Sequence, residues 1–442
     1  MSVLMATIIL LVLMLVFIAL GLPIAFALGG SAVIFGTTTM GWESLYYLML
    51  GIWNNMRTIV LIAVPLFVFM GNVLQASGIA EDIFKMVHNW TGGLRGGLAV
   101  ATVIVCTIFA ACTGISGAAT VTMGLIAIPA MLKRKYDKHL SIGCVMGGGA
   151  LGQLIPPSLI LILYGFMGQE SVGRLFAGGI IPGLILSGMF IVYILISCGM
   201  KPSLGPSIPP EERPNLKEKF ISLRAVLLPI VLVGAVLGSI FTGIATPTEA
   251  AAVGAAGAII CALVNGKLTL TNFKAALHSS IALSAMIMWI VVGATAFTLM
   301  YSAAGGPEFI KGALLGMNVS PIVIIIMMQF TFIMLGMFMD PSGIILLCTP
   351  IFVPIVRELG FDTVWFGVLF CVNMEMAYLT PPYGGNLFYM RGVTPPSITM
   401  KDIYISAIPF LVIQFITLVL VMFFPAIVTF LPDLVFGAER FG

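Results

Sequence analysis

Twelve apolar runs fill most of this 442-residue sequence, and few of them contain a charge. They fall at about 3–20, 22–38, 58–77, 97–132, 142–168, 175–199, 225–243, 247–265, 277–303, 319–356, 363–390 and 404–431. So much apolar surface needs a bilayer, whose core takes about 20 residues of helix per crossing. Charged residues make up 8% of the chain, against about 25% in soluble domains. This excludes a soluble enzyme, a disordered chain and a nucleic-acid binder, because no basic patch of useful size exists. The expected fold is an all-α polytopic membrane protein with roughly ten to twelve spans.

The seven cysteines lie in apolar runs without a CxxC or Cys/His cluster and read as small packing residues. His88, His139 and His278 are isolated near run ends and read as interfacial. The amino terminus lacks a basic region and a small-residue cleavage site, so it reads as a retained first span. Trp42, Trp53 and Trp90 read as interfacial anchors, and 42–56 as a segment lying at the membrane surface.

A polar, Pro-rich stretch from 201 to 224 cuts the chain nearly in half and reads as a solvated cytoplasmic linker. Four anchors recur across it at offsets of 224–225: Pro23 with Pro247, Pro129 with Pro354, Asp137 with Asp362, and Pro156-Pro157 with Pro381-Pro382. The chain therefore divides into two copies of one unit, 1–200 and 225–442. The loop from Lys133 to Lys138 holds four bases and one acid; its counterpart from Arg357 to Asp362 holds one base and two acids. By the positive-inside tendency the first is cytoplasmic and the second is not, so the repeats are inverted. Fifteen Lys and Arg then lie on the cytoplasmic side and five opposite, with both termini periplasmic.

Two runs are too long for one crossing: 97–132 would extend ~54 Å as a helix across a ~30 Å core. Each carries Gly and polar residues at its middle, Thr113 to Gly117 and Gly336 to Gly343, and reads as a re-entrant hairpin. Two further runs are broken by Pro pairs, within Gly152–Ser158 and Ala377–Asn386. Irregular backbone at membrane depth persists only where it is buried in protein or lines an aqueous cavity. A Pro pair removes two donors and frees carbonyls; with a Ser or Thr hydroxyl these are hard ligands for an alkali cation. Helix amino ends at the same breaks favour an anion. Each hairpin tip and broken helix should meet near the midplane, giving two pseudo-symmetric sites. Asp340 and Glu375 lie in these regions, and ionisable groups there are costly enough to suggest function. A helix cap for Asp340 and a buried hydrogen bond for Glu375 are the plainer alternatives. No Walker A loop, GxSxG or HExxH occurs.

Several strings resemble the large membrane subunit of tripartite ATP-independent periplasmic (TRAP) transporters, the DctM family. They are VPLFVFMGNVL (64–74), LRGGLAVA (94–101), IAIPAM (126–131), GQLIPPS (152–158), LFAGGIIPG (175–183), ATPTEAAAVGA (245–255), LGMFMDPSGI (335–344) and LTPPYGGNLF (379–388). The resemblance covers nearly the whole chain. It implies an elevator-type transporter of the ion-transporter superfamily, driven by sodium. Scaffold elements would span about 3–77 and 225–303, and transport elements about 97–168 and 319–390.

Carried over by motif, one sodium site would use Gly336, Ala377, Thr380 and Tyr383. The other would use Thr113, Gly114, Ser116 and Ser158. The substrate or coupling region would include Pro156, Pro157, Asp340, Glu375, Pro381, Pro382, Gly384 and Asn386. Two positions depart from the family pattern: Thr113-Gly114-Ile115 stands where Ser-Gly-Ser is frequent, and Ala377 where Gly is usual. The implied partners are a small four-helix membrane subunit and a periplasmic substrate-binding protein, in a bacterial inner membrane. The implied substrate is an organic acid such as a dicarboxylate, a sugar acid or sialic acid, with no cofactor beyond sodium. An organic-anion symporter working without a binding protein is the alternative. A channel would need a continuous polar pore, and an intramembrane enzyme a convergent nucleophile, base or metal set; neither pattern occurs in the sequence.

Overall fold

A computed structural model describes residues 2–437 apart from 210, 212 and 383, so the expectation for Tyr383 lies outside the described residues. Among the described residues there are helices and turns and no strand. Eight helices among the described residues are long and apolar enough to cross a membrane, the longest being Val172–Met200 and Leu270–Ala303. Seven more apolar helices run only 10–17 residues. The difference from ten to twelve full spans arises where runs 142–168 and 363–390 break at their Pro pairs into helices of 15 residues or fewer and where 3–20 and 22–38 form 17-residue helices; 97–132 divides into Gly97–Thr113 and Ser116–Lys133, and 319–356 into Pro321–Gly336 and Pro341–Glu358.

The causes of the hairpins are local. Gly114 sits at φ +64°, a conformation that needs no Cβ, and ends the first helix. Pro341 occupies the first turn of the returning helix, where its missing N–H costs nothing, and Asp340 caps that helix by accepting from the Ser342 amide at 2.8 Å.

The 225-residue offset persists in the elements. Lys138–Ala150 and Thr363–Ala377 correspond, and so do Leu159–Gly168 and Gly385–Val393. Asp137 and Asp362 are equivalent N-caps, accepting from Leu140 and Trp365 amides at 3.0 and 2.7 Å. Both Pro pairs are cis. The returning helix of each hairpin packs on the short helix after the opposite break: Ser116–Lys133 on Gly385–Val393, and Pro341–Glu358 on Leu159–Gly168.

Packing inside this body relies on small residues, as expected where lipid offers no hydrophobic drive. Gly143 and Gly147, one turn apart, leave room for the Phe410 ring; a Cβ at either would lie 2.5 Å from it. Leu270–Ala303 runs along Ile24–Met40 and Ala63–Ala76 and also touches Pro341–Glu358. Ser44–Met56 is a separate helix with Tyr46, Tyr47, Met49 and Trp53 exposed. The 201–224 stretch is not simply solvated: its first part docks on neighbouring turns. The Gly96 and Asp137 amides donate to Gly205 and Leu204, the Ile208 amide donates to Gly92, and Ile208 is buried. All seven cysteines are buried and free.

Candidate functional site

At the first break, Gly114 rests against the Pro157 carbonyl so closely that a Cβ would overlap it. A Cβ on Gly152 would lie 2.9 Å from the Ile115 carbonyl carbon. The hairpin tip and the Pro-Pro segment thus approach through glycines on both sides. The Leu159 amide points at the Gly114 carbonyl at 3.5 Å. Thr113 is buried and donates to the Phe109 carbonyl at 3.0 Å, which leaves its lone pairs available. Ser158 is fully buried; it donates to the Gln153 carbonyl and caps the next helix by accepting from Leu161 at 3.3 Å. Thr113, Gly114, Pro157 and Ser158 concentrate oxygen donors here, the chemistry a hard cation takes.

The second break is built the same way. A Cβ on Gly336 would overlap the Ala377 Cβ, so the close approach that the usual Gly at 377 would permit is kept from the other side. The Phe338 and Met339 amides both donate to Leu335. Among the described residues no turn amide donates to the Gly336 carbonyl. The Ala377 carbonyl accepts from the Thr380 amide at 3.1 Å, and the Thr380 hydroxyl donates to Met376 at 2.8 Å. Asp340 is more than a cap: its second oxygen accepts from the Tyr378 hydroxyl at 2.9 Å, tying the tip to the break. Pro381 is half-buried and Pro382 exposed.

The two breaks share one cavity of about 80 Å³. Its polar lining is Ser116, Gln153, Asp340, Ser342, Tyr378 and Tyr389, with Leu283, Met286 and Ile287 of Leu270–Ala303 on another side. Asn386 lies behind it, fully buried. Its side-chain oxygen accepts from Ser116 at 3.0 Å and Thr120 at 3.1 Å, its amide donates to the Met146 carbonyl at 3.3 Å, and its backbone N–H donates to Tyr378 at 3.1 Å.

Gly114, Ser116, Pro157, Ser158 and Asn386 therefore come together, as do Gly336, Asp340, Ala377, Thr380 and Gly384. Glu375 does not line the cavity; it is fully buried, and neither carboxylate oxygen has a hydrogen-bond partner among the described residues. The buried hydrogen bond expected for it is not made there. Thr120, Ser342 and Tyr389 belong to the site although the motifs did not single them out. The signal was helical spacing: Thr120 is one turn beyond Ser116, and Tyr389 one turn beyond Asn386.

Comparison with known proteins agrees with this architecture. Residues 11–427 match the family model for the "Tripartite ATP-independent periplasmic transporter, DctM component". The chain is 32% identical to the C4-dicarboxylate TRAP transporter large permease protein DctM of Vibrio cholerae, over 98% of this chain and 99% of that one. It is 31% identical to the isethionate TRAP transporter permease protein DctMQ of Oleidesulfovibrio alaskensis, over 94% of this chain and 64% of that one. In fold it is similar to the YdaH transporter of Alcanivorax borkumensis, with a TM-score of 0.61, 14% identity, and 88% and 89% of the two chains covered. A family match over residues 11–427, multi-pass apolar helices and two paired breaks lead to one assignment: the chain belongs to the DctM component family of the tripartite ATP-independent periplasmic transporters, which are membrane permeases and not enzymes.

Proposed function

We propose that this chain is the large transmembrane subunit of a sodium-coupled transporter that takes up an organic acid across a bacterial inner membrane. A periplasmic binding protein delivers the substrate, and a smaller membrane subunit completes the complex. The observation that carries the reading is the single cavity between two oxygen-rich breaks, lined by polar groups from both hairpin tips. The Ser116 and Pro341 helix amino ends beside it favour an anion. The copies are read as inverted from the charge contrast between 133–138 and 357–362. The hairpins and broken helices move as one body past Leu270–Ala303, which supplies the opposite wall. The fusion relative, of which this chain spans 64%, and the acid named for each relative above support the partner and the substrate class.

Coupling energetics fit two sodium ions. A cation entering down a 100 mV inside-negative potential contributes ~2.3 kcal/mol. Two sodiums with a monoanion leave one net positive charge moving inward; with a dianion, transport is electroneutral. In proteoliposomes holding both membrane subunits, uptake should require sodium and the loaded binding protein. Its sodium Hill coefficient should exceed one and fall to one when Ser116 and Ser158 are both changed to Ala. Full-rate uptake in sodium-free buffer would refute the mechanism. Sodium-driven uptake that ignores the binding protein would favour a symporter working alone.

A further inference from the structure

Away from the transport cavity, three elements enclose a groove of about 570 Å³. Helix Ile79–Thr91 contributes Phe84, Lys85 and His88; the start of Gly97–Thr113 contributes Leu98; the end of Ser116–Lys133 contributes Lys133, with Arg134 following. Among the described residues no acidic side chain lines it. The Lys85 and Lys133 side chains are exposed, and neither is in an ion pair among the described residues. His88 stacks on Phe84 with ring centroids 6.2 Å apart. Burial first, and the Arg134 charge second, hold His88 below its ordinary pKa.

The groove pairs two chemistries. Its charged side carries the two compact ammonium groups of Lys85 and Lys133, which suit a phosphate. Its apolar side is Phe84 and Leu98, both buried in the fold. It sits at the end of Ser116–Lys133, an apolar helix long enough to span the bilayer, and helix ends of that kind fall near the head groups. Basic pockets between transmembrane helices at this level take anionic head groups.

We propose that this groove binds the phosphate of an anionic phospholipid between Lys85 and Lys133. Helix Ile79–Thr91 packs chiefly on Gly97–Thr113, the first arm of the hairpin, and also on Ala63–Ala76 and Arg224–Phe241, whereas Lys133 and Arg134 end the returning arm that carries Ser116. A phosphate held between Lys85 and Lys133 therefore ties Ile79–Thr91 to the returning arm of the hairpin. This site rests on the groove alone and not on the transport reading.

The test uses the purified full chain, delipidated in detergent. Phosphatidylglycerol, phosphatidylcholine and inorganic phosphate are the probes, with native mass spectrometry and thermal unfolding as readouts. Phosphatidylglycerol should bind the native chain more tightly than phosphatidylcholine does. Its affinity should fall about fivefold in Lys85→Gln and about twenty-five-fold in Lys85→Gln/Lys133→Gln. Lys85→Arg/Lys133→Arg should restore it, and Lys135→Gln/Lys201→Gln, outside the groove, should leave it unchanged. If the double Gln variant fails to fold, Lys85→Gln alone decides. Inorganic phosphate stabilising the native chain as well as the lipid does, and only with both lysines present, would identify a soluble phosphate as the source. Equal phosphatidylglycerol affinity in native and Gln variants, or no preference over phosphatidylcholine, would overturn the site.

Discussion

Ser116 and Asn386 stand 270 residues apart in the chain and share a hydrogen bond of 3.0 Å. One lies at the tip of the first hairpin and the other just past the second Pro-Pro break, so this contact joins the two halves behind the cavity. The corresponding position in the first half is Leu161, whose side chain has no carboxamide, so the link is made once and not twice.

Replacing Asn386 with Ala strips the acceptor from two buried hydroxyls and the donor from Met146. Each orphaned group costs about 1–3 kcal/mol. The thermal midpoint in detergent should fall, and half-saturation by sodium should rise about tenfold. Asn386→Asp keeps the acceptor but loses the donor to Met146 and buries a carboxyl, so it should recover only part of either. Wild-type sodium dependence in Asn386→Ala would show that the link does not serve the cation sites.

At the other break the constraint is steric. Gly336→Ala places a methyl on the Ala377 Cβ, and overpacking of this kind costs about 1–3 kcal/mol. Uptake and stability should both drop. Ala377→Gly in the same chain removes the obstacle and should restore at least half of the loss. A double variant no better than Gly336→Ala would mean the clash is not the cause.

Thr380→Ala removes one hydroxyl whose proton is already given to Met376 and whose lone pairs remain for a cation. The half-saturating sodium concentration should rise roughly ten- to a hundredfold, from a loss of about 1–3 kcal/mol. The expression level and unfolding midpoint should stay near wild type. An unchanged sodium titration removes Thr380 from the ligand set.

Topology is checked by labelling from outside in a cysteine-free background. Tyr136 is buried, so the reporter belongs at its exposed neighbour, Lys135→Cys, and in the counterpart loop at exposed Glu358→Cys. An impermeant maleimide applied to intact cells should reach position 358 and not position 135. Equal labelling of both would end the inverted arrangement.

Much of this protein was legible before any coordinate, because its causes are local. The absence of charge over long runs dictates a membrane solvent. A Pro pair removes donors wherever the chain goes, and an Asp before a helix caps it in either half, so the 225-residue offset reappears in the helix boundaries. The tertiary structure decided what depends on partners far along the chain. Only packing put Asn386 behind Ser116, set Tyr378 on Asp340, and placed Gly336 where Ala377 needs room. It also left Glu375 off the cavity wall and drew the Pro-rich linker onto the turns at Gly92 and Gly96. Propensity and spacing act over a few residues; these contacts are chosen by how whole helices cross, and no short stretch of sequence carries that register.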